Sequence, residues 1–151
     1  VRTGIAPRLM PLIGKLPGAR EYLFRTISQT VVHYRDAPLC AGHAGKVHGG
    51  DRLPWVQFDG GDNFVPLPKP DWQVHVYGKV QADLVTWCAL HGVALRRLDW
   101  SEACAAAGLA RDAIYLLRPD TYVGLAAPGH AAGPPTVDVL DNYLRANGLT
   151  L

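Results

Sequence analysis

The apolar positions near the start of the chain recur at helical spacing. Leu23, Ile27 and Val31 follow one another every fourth residue, which places them on one face of an amphipathic helix. A shorter apolar stretch at residues 6–16 contains two prolines, which favour the start of a helix or a break in it. The pattern therefore predicts a helical segment that ends near residue 35 and needs a further surface to pack against.

Residues 36–51, DAPLCAGHAGKVHGGD, have a different character. They are rich in glycine, alanine and histidine, and their apolar positions follow neither the helical nor the strand period. Such a composition is typical of a surface loop or a linker. We predict a linker at residues 41–51, which separates an N-terminal helical segment at residues 1–40 from a domain at residues 52–151.

Strand and helix patterns alternate from residue 52 onward. Val74 and Val76 alternate with His75 and Tyr77, as expected for a strand at residues 72–78 with two distinct faces. The other predicted elements are a short strand at 53–58, a turn at 60–63, an edge strand limited by its prolines at 64–68, a strand at 93–100, a hairpin at 113–126, and helices at 80–92, 101–108 and 135–148.

The order of these elements predicts the fold class. From residue 72 the order is strand, helix, strand, helix, hairpin, helix. A parallel beginning and an antiparallel end give a mixed sheet with helices packed on it. This order matches the thioredoxin-like fold. The predicted architecture is therefore α/β, with a thioredoxin-like mixed sheet flanked by helices and preceded by an N-terminal helical segment.

The hairpin contains a charged pair at its turn, in the sequence LLRPDTYVGLA. Pro119 at the second position of a turn, followed by Asp120, is the residue pattern that such a turn prefers. We interpret Arg118 and Asp120 as structural residues. The hypothesis is that one of them pairs with Asp51 or Arg52 of the sequence GGDR, which would tie the start of the domain to its last hairpin.

The composition and charge pattern argue against several classes of protein. Of the 151 residues, 48% are hydrophobic and 19% are charged, as in globular domains. The 15 basic residues are scattered, and only Arg96 and Arg97 are adjacent, so we expect no nucleic-acid partner. No apolar stretch approaches about 18 residues and no signal-peptide pattern is present, so we expect no membrane partner. Cys40, Cys88 and Cys104 are widely spaced, which is typical of buried thiols in a cytoplasmic protein, the location that we predict.

Residues for covalent catalysis do not stand where such chemistry needs them. A thioredoxin-type thiol belongs at the start of the helix after the first central strand, where the helix end lowers the thiol pKa. That junction is residues 78–81, and Cys88 lies two turns further along. The only serines are Ser28 and Ser101, and neither lies in a G-x-S-x-G sequence. We predict no catalytic residue in the chain.

Acid–base and metal chemistry have few candidates as well. Asp59 and Asp62 lie in FDGGDNF, whose composition is that of a turn. His43, His48 and Asp51 are close enough in sequence to share a metal ion, but a loop rarely holds the required geometry unless further ligands make it rigid. We therefore predict no metal-binding residue.

Three sequence motifs carry a resemblance to a known family. GGDRLPWV at residues 49–56, LLRPDTYVGLA at 116–126 and RTISQTVVHYRDAPL at 25–39 together resemble the C-terminal region of flavin-dependent aromatic hydroxylases, of the phenol hydroxylase and hydroxyphenylpropionate hydroxylase type. Thr121 stands where that family usually has glycine, and Gly124 belongs to a smaller strand ending than is usual. The motif residues, to which we assign a structural role, are Asp51, Arg52, Pro54, Trp55, Arg118, Pro119, Asp120 and Tyr122.

The resemblance implies that the chain is an accessory part of a larger enzyme. Residues 1–40 would be the helical tail of an upstream FAD- and substrate-binding domain, and residues 52–151 a thioredoxin-like domain without C-x-x-C. The parent enzyme would use FAD, NAD(P)H and oxygen to hydroxylate an aromatic ring. No G-x-G occurs in the sequence, so we expect no cofactor in this chain itself. The beginning at Val1, without methionine, suggests a fragment. The expected partners are the upstream domain of the same chain and a second copy in a homodimer.

Two other functions stay open. The chain could be a stand-alone thioredoxin-like module without redox activity, in which Trp55, Trp72, Trp87 or Trp100 lines a groove for a small aromatic ligand or a protein partner. The third is an enzyme with an unfamiliar site. It has the least support, because no acid–base or nucleophile–base set is visible in the sequence.

Overall fold

A six-stranded mixed β-sheet forms the centre of the structure. The computed structural model describes residues 34–35, 37–64, 70–129 and 136–151, which belong to a unit spanning residues 33–151. Within these residues the strands are β1 (Ala41–Ala44), β2 (Val47–His48), β3 (Gln57–Phe58), β4 (Gly61–Asp62), β5 (Gln73–Tyr77), β6 (Ala94–Leu98), β7 (Ile114–Leu117) and β8 (Val123–Ala127). The helices are α1 (Ala82–Leu90), α2 (Glu102–Ala106) and α3 (Thr136–Asn147). The helices predicted before residue 33 and most of the edge strand predicted at 64–68 lie outside the described residues.

The strands of the main sheet run in the order β2-β1-β8-β7-β5-β6, and β3 and β4 form a separate two-stranded hairpin. β5 is parallel to β6 and antiparallel to β7, while β7 and β8 form the last hairpin. β1 lies parallel to β8 and antiparallel to β2. This arrangement confirms the predicted α/β fold with a mixed sheet.

β5 lies inside the sheet, between β7 and β6, and side chains on both of its faces are buried. Val74 and Val76 pack into one core, and Tyr77 packs into the core on the opposite face. His75 is also buried. The alternation predicted for residues 72–78 is therefore confirmed. Both faces are covered by other elements, as is usual for a strand that has a parallel neighbour.

Helices cover the two faces of the sheet unequally. Trp87 of α1 and Leu140 and Leu144 of α3 pack with the valines of β5. The helical spacing of Val137, Leu140 and Leu144 in the sequence predicts this buried stripe. On the opposite face, α2 contributes only Cys104, and the segments around β3 and β4 supply much of the remaining cover. Within the described residues, none of the helices is both long and apolar enough to span a lipid bilayer.

The β3–β4 hairpin is shorter than its sequence predicts. The predicted strand at 53–58 is reduced to two residues, and the predicted turn at 60–63 contains β4. The reason is the side chain of Asn63, which accepts the amide of Val56 at 2.8 Å and donates to the carbonyl of Pro54 at 2.7 Å. With those backbone groups already bonded, the ladder begins only at Gln57.

Residues 41–51, predicted to be a linker, contain β1 and β2 instead. β1 extends the sheet beside β8, with Ala41 opposite Leu125 and Gly42 opposite Ala126. The high glycine content of this segment is typical of a linker, but here the backbone of the strand requires glycine. Gly42 has a φ of +67°, and a side chain at this position would meet the carbonyl oxygen of Ala126. The composition therefore reflects close packing of strands, which a linker would not need.

Replacing Gly42 tests whether β1 is part of the sheet. Gly42→Ala should lower the free energy of unfolding by at least about 1 kcal/mol, because a left-handed conformation disfavours a Cβ atom and the new methyl group would push β1 away from β8. Chemical denaturation measures the change. Gly60→Ala is the matched control, since nothing lies within 4 Å of a Cβ atom there. Equal stability of the two variants would contradict the position of β1.

Candidate functional site

Asp51 joins separate segments of the chain through its carboxylate. The residue is only 6% exposed, and it accepts hydrogen bonds from Arg35 Nε at 2.7 Å and Arg35 Nη2 at 3.0 Å. The same carboxylate accepts the backbone amide of His48 at 2.9 Å. The hydrogen bond to Asp51 raises the pKa of Arg35. Because a guanidinium bonded through two nitrogens has a fixed direction, Asp51 fixes the path of the chain between Arg35 and β2.

The backbone around Asp51 connects this segment to the last hairpin. The amide of Gly50 donates to the carbonyl of Val123 at 2.7 Å, and the amide of Val123 donates to the carbonyl of Asp51 at 2.9 Å. Arg52 and Tyr122 then form an antiparallel bridge. Main-chain bonds therefore hold the G-D-R segment against the start of β8.

The charged pairs differ from the hypothesis drawn from the sequence. Arg118 pairs with Asp120 at 2.6 Å, and Asp51 pairs with Arg35. The side chain of Arg52 makes no ion pair with a described residue. The expected pairing of the turn with the G-D-R segment is therefore wrong. Arg118 reaches a carboxylate two residues away inside its own turn, which orders less of the chain than a distant partner would.

The turn at residues 118–121 forms as its sequence predicts. The amide of Thr121 donates to the carbonyl of Arg118 at 2.9 Å, which closes a turn with Pro119 in its second position. Asp120 also accepts the amide of Tyr122 at 3.2 Å. Thr121 has a φ of +68°, a left-handed conformation that a β-branched residue rarely takes. Glycine would suit this position better.

Pro54 and Trp55, the other two motif residues, lie just before the β3–β4 hairpin and contact its residues. The carbonyl of Pro54 accepts Asn63 Nδ2 at 2.7 Å. The residue Trp55 is 58% exposed, and its Nε1 donates to Asp62 Oδ2 at 3.1 Å. The motif therefore divides into one part anchored to β8 and a second part that shapes a hairpin.

A buried polar network lies beneath that hairpin. Tyr77 Oη accepts Asn63 Nδ2 at 2.8 Å and lies 3.5 Å from His75 Nδ1. His75 Nε2 is 3.0 Å from Gln73 Oε1. These distances fit a neutral imidazole that donates from Nε2 and accepts at Nδ1. Asn63 belongs to the turn predicted at residues 60–63. Its role in this network could not be predicted from the sequence, because its partners lie on other segments.

Burial keeps the groups of this network uncharged at neutral pH. Burial, and to a smaller extent the charge of Arg96, lowers the pKa of His75 to about 3. Burial raises the pKa of Tyr77 well above its usual value and that of Tyr115 to about 12. Tyr115 Oη also donates to the carbonyl of Ala44 at 3.1 Å. Because these side chains are bonded to one another or to the backbone, they stabilise the core and have no proton to exchange at pH 7.

The thiols lie away from the place where redox chemistry would need one. Burial raises the pKa of Cys88 to about 11. Burial also raises the pKa of Cys40, although the nearby Arg118 acts in the opposite direction. The junction between β5 and α1, residues 78–81, precedes the helix end at which a redox thiol would stand. There Asp112 Oδ1 accepts the backbone amide of Lys79 at 2.6 Å.

The three residues considered for a metal site lie near one another on the β1–β2 hairpin. His43 is opposite His48 in the ladder. Their ring centroids are 5.5 Å apart, and His48 Nδ1 is 3.6 Å from Asp51 Oδ2. Across the part of the chain that the structure describes, no group of three or more His, Cys, Asp or Glu side chains is arranged to hold a metal ion.

The four tryptophans do not line a single groove. Trp72 and Trp87 pack with the core beneath α1 and α3, whereas Trp100 packs with the core on the opposite face. Trp55 is exposed on the surface. Trp87 Nε1 donates to Asp141 Oδ1 at 2.6 Å, so that side chain is engaged within the fold. This distribution gives no support to an aromatic groove of a binding module.

Among solved structures, the chain is similar to the OxyS anhydrotetracycline hydroxylase from Streptomyces rimosus. The TM-score is 0.57 at 24% sequence identity, and the likeness covers 95% of this chain. The chain spans only 28% of the length of that hydroxylase. No family model and no curated protein matches the sequence. The likeness concerns the fold, and the chain resembles one part of such a hydroxylase.

The conformation of Thr121 predicts a stabilising substitution. Thr121→Gly should raise the free energy of unfolding by about 1 kcal/mol, because glycine adopts the observed φ without strain. Chemical denaturation measures the change. Asp112→Gly is the control: Asp112 also has a positive φ, of 61°, but its carboxylate binds the amide of Lys79, so its loss should not stabilise the fold. A Thr121→Gly variant less stable than the parent would contradict the strain.

The buried His75 predicts a specific acid sensitivity. The pKa of its side chain is about 3 in the folded chain, against an ordinary histidine value of 6.5, so the unfolded chain takes up the proton first as the pH falls. Above pH 6.5, His75 is neutral in both states and does not reduce the free energy of unfolding. Between pH 6.5 and 3, the unfolded chain binds the proton and the folded chain does not, so the free energy of unfolding falls progressively. At pH 4 the loss should be about 3 kcal/mol.

Denaturation of the parent and of His75→Gln at several pH values isolates this contribution. The variant should lose less stability than the parent between pH 6.5 and 4, whatever its stability at neutral pH. Parallel pH profiles for the two proteins would mean that His75 carries no proton linkage.

Proposed function

We propose that the chain is the C-terminal accessory portion of an FAD-dependent aromatic-ring monooxygenase, with a structural role. The observation that carries the proposal is the fold likeness, which extends over 95% of this chain but only 28% of a hydroxylase. A likeness of this kind is expected when a chain corresponds to one domain of a larger enzyme. The three sequence motifs that resemble the C-terminal region of aromatic hydroxylases support the same origin.

The topology supports a thioredoxin-like domain without redox activity. In the unit spanning residues 33–151, β5, α1 and β6 form a parallel crossover, and the β7–β8 hairpin is followed by α3. This is the order of elements expected from the sequence for the thioredoxin-like fold. In the junction between β5 and α1, the amide of Lys79 is bonded to Asp112, and residues 78–81 of this junction contain no cysteine that could act as a redox thiol.

The chemistry of the described residues supports an accessory role. Asp51 is bonded to Arg35 and to the amide of His48, and Arg118 is bonded to Asp120. His75 is neutral and buried. Within the described residues these groups hold segments together, and none forms a nucleophile–base set of the kind that acyl or glycosyl transfer requires.

The cofactors of the proposed parent enzyme would be held upstream. FAD, reduced by NAD(P)H, would supply the oxygen-activating chemistry for ring hydroxylation. The described residues do not fit FAD, because the sequence lacks the G-x-G turn that lets a pyrophosphate approach the backbone at the start of a helix. The proposal therefore assigns cofactor and substrate binding to the upstream domain of the same chain.

Expression of the complete open reading frame and, separately, of this 151-residue chain tests the proposal. The complete product should contain a G-x-G-x-x-G sequence before these residues, carry FAD and oxidise NAD(P)H in the presence of an aromatic substrate. The 151-residue chain alone should purify without flavin absorbance. A flavin-loaded 151-residue chain, or an open reading frame without a flavin-binding sequence, would contradict it.

The structural role has its own test in the complete enzyme. Arg35→Ala should lower the thermal midpoint and leave turnover per bound flavin unchanged, because the guanidinium of Arg35 binds the buried carboxylate of Asp51. Arg52→Ala is the matched control, since Arg52 joins the hairpin through its backbone. A fall in turnover per flavin at an unchanged melting temperature would show a catalytic role instead.

A further inference from the structure

The β1–β2 hairpin brings two histidines together at the edge of the sheet. His43 lies directly opposite His48 in the antiparallel ladder. One position further from the turn, the amide of Gly49 donates to the carbonyl of Gly42 at 3.0 Å. Hydrogen-bonded and non-hydrogen-bonded pairs alternate along such a ladder. His43 and His48 therefore form a non-hydrogen-bonded pair, the kind in which opposing side chains come closest.

The two imidazole rings have a spacing that one metal ion can bridge. Their centroids are 5.5 Å apart, and their planes differ by 25°. An ion bound to a ring nitrogen at about 2.0–2.1 Å lies roughly 3 Å from the ring centroid, so two rings on one tetrahedral ion have centroids about 5 Å apart. The side chain of His43 is exposed, so its ring has room to turn toward an ion bound by His48.

Asp51 determines which nitrogen of His48 carries the proton. His48 Nδ1 is buried, has no hydrogen-bond partner and lies 3.6 Å from Asp51 Oδ2. A lone pair facing a carboxylate would be repelled, so the proton of the neutral ring belongs on Nδ1 and the lone pair on Nε2. Carboxylates placed behind metal-binding histidines act in this way. Asp51 is itself fixed by Arg35, which keeps the arrangement rigid.

We propose that His43 and His48 form a binding site for a divalent transition-metal ion, with Cu²⁺ held most tightly and Ni²⁺ and Zn²⁺ less tightly. Neutral imidazole favours these ions over Mg²⁺ and Ca²⁺, which prefer oxygen ligands, and Cu²⁺ leads the affinity order. The two rings supply two ligands, and water completes the coordination. Because the described residues provide no group of three ligands, the ion stays open to solvent and to exchange.

The hairpin supplies the rigidity that a loop would lack. β1 is paired with β8 on its other side, and Gly42 lies in register with Ala126. The two histidines are therefore held in register by the sheet before any ion binds. An ion that bridges them binds the folded hairpin better than the unfolded chain, so it should stabilise the fold as its concentration rises.

Titration of the 151-residue chain with Cu²⁺ tests the proposal by calorimetry. The parent should bind one ion at this site. His43→Gln and His48→Gln should each weaken binding by about tenfold or more, because the second imidazole acts at high effective concentration. His91→Gln is the matched control. Its ring is stacked on Trp87 of α1, with 4.1 Å between centroids, and its loss should leave Cu²⁺ affinity unchanged.

Electron paramagnetic resonance of the Cu²⁺ complex gives an independent readout. The parent should show two imidazole nitrogens bound to the ion, and His43→Gln should show one. Thermal melting without metal confirms that each variant is folded. Absence of Cu²⁺ binding, parent-like affinity in His43→Gln, or loss of affinity in His91→Gln would overturn the assignment.

Discussion

The hydrogen bonds of the Asp51 carboxylate are the constraint on which the arrangement of the domain depends. The carboxylate is almost fully buried, so it needs donors to offset the cost of leaving water. Arg35 and the amide of His48 provide them. The backbone at Asp51 accepts the amide of Val123, where β8 begins. Asp51 thus joins the segment at Arg35, the β1–β2 hairpin and strand β8, which pairs with β1.

Other polar groups are used in the same way. Tyr143 Oη of α3 donates to the carbonyl of Leu39 at 2.9 Å, which ties the last helix to the segment before β1. Gly124 makes room for this contact, since a Cβ atom there would lie 2.6 Å from Tyr143 Oη and 3.1 Å from the ring of Trp72. The smaller strand ending seen in the sequence therefore has a packing reason.

Periodicity predicted the elements whose partners lie close in sequence or whose faces are uniformly apolar. The strand at Val74–Val76, the buried stripe of α3 and the turn at Pro119 follow from such local patterns. The β1–β2 hairpin does not, because close approach to β8 demands glycine, and glycine also marks linkers.

The Arg35–Asp51 pair and the buried network could not be predicted from the sequence, for a different reason. Arg35 and Asp51 are sixteen residues apart, and Asn63 bonds to Tyr77 fourteen residues away. No local spacing identifies which of several charged or polar residues will meet once the chain is folded. The motif residues predicted to be structural did include Asp51, but its partner could be found only in the tertiary structure.

Amide hydrogen exchange in an Asp51→Asn variant measures whether the carboxylate of Asp51 holds these segments together. The substitution keeps the shape of the side chain and removes its charge. We expect a lower thermal midpoint and faster exchange at the amides of His48 and Val123. The same substitution at the exposed Asp120 should leave both amides as protected as in the parent. Unchanged protection at His48 and Val123 in Asp51→Asn would show that the Asp51 carboxylate does not hold these segments together.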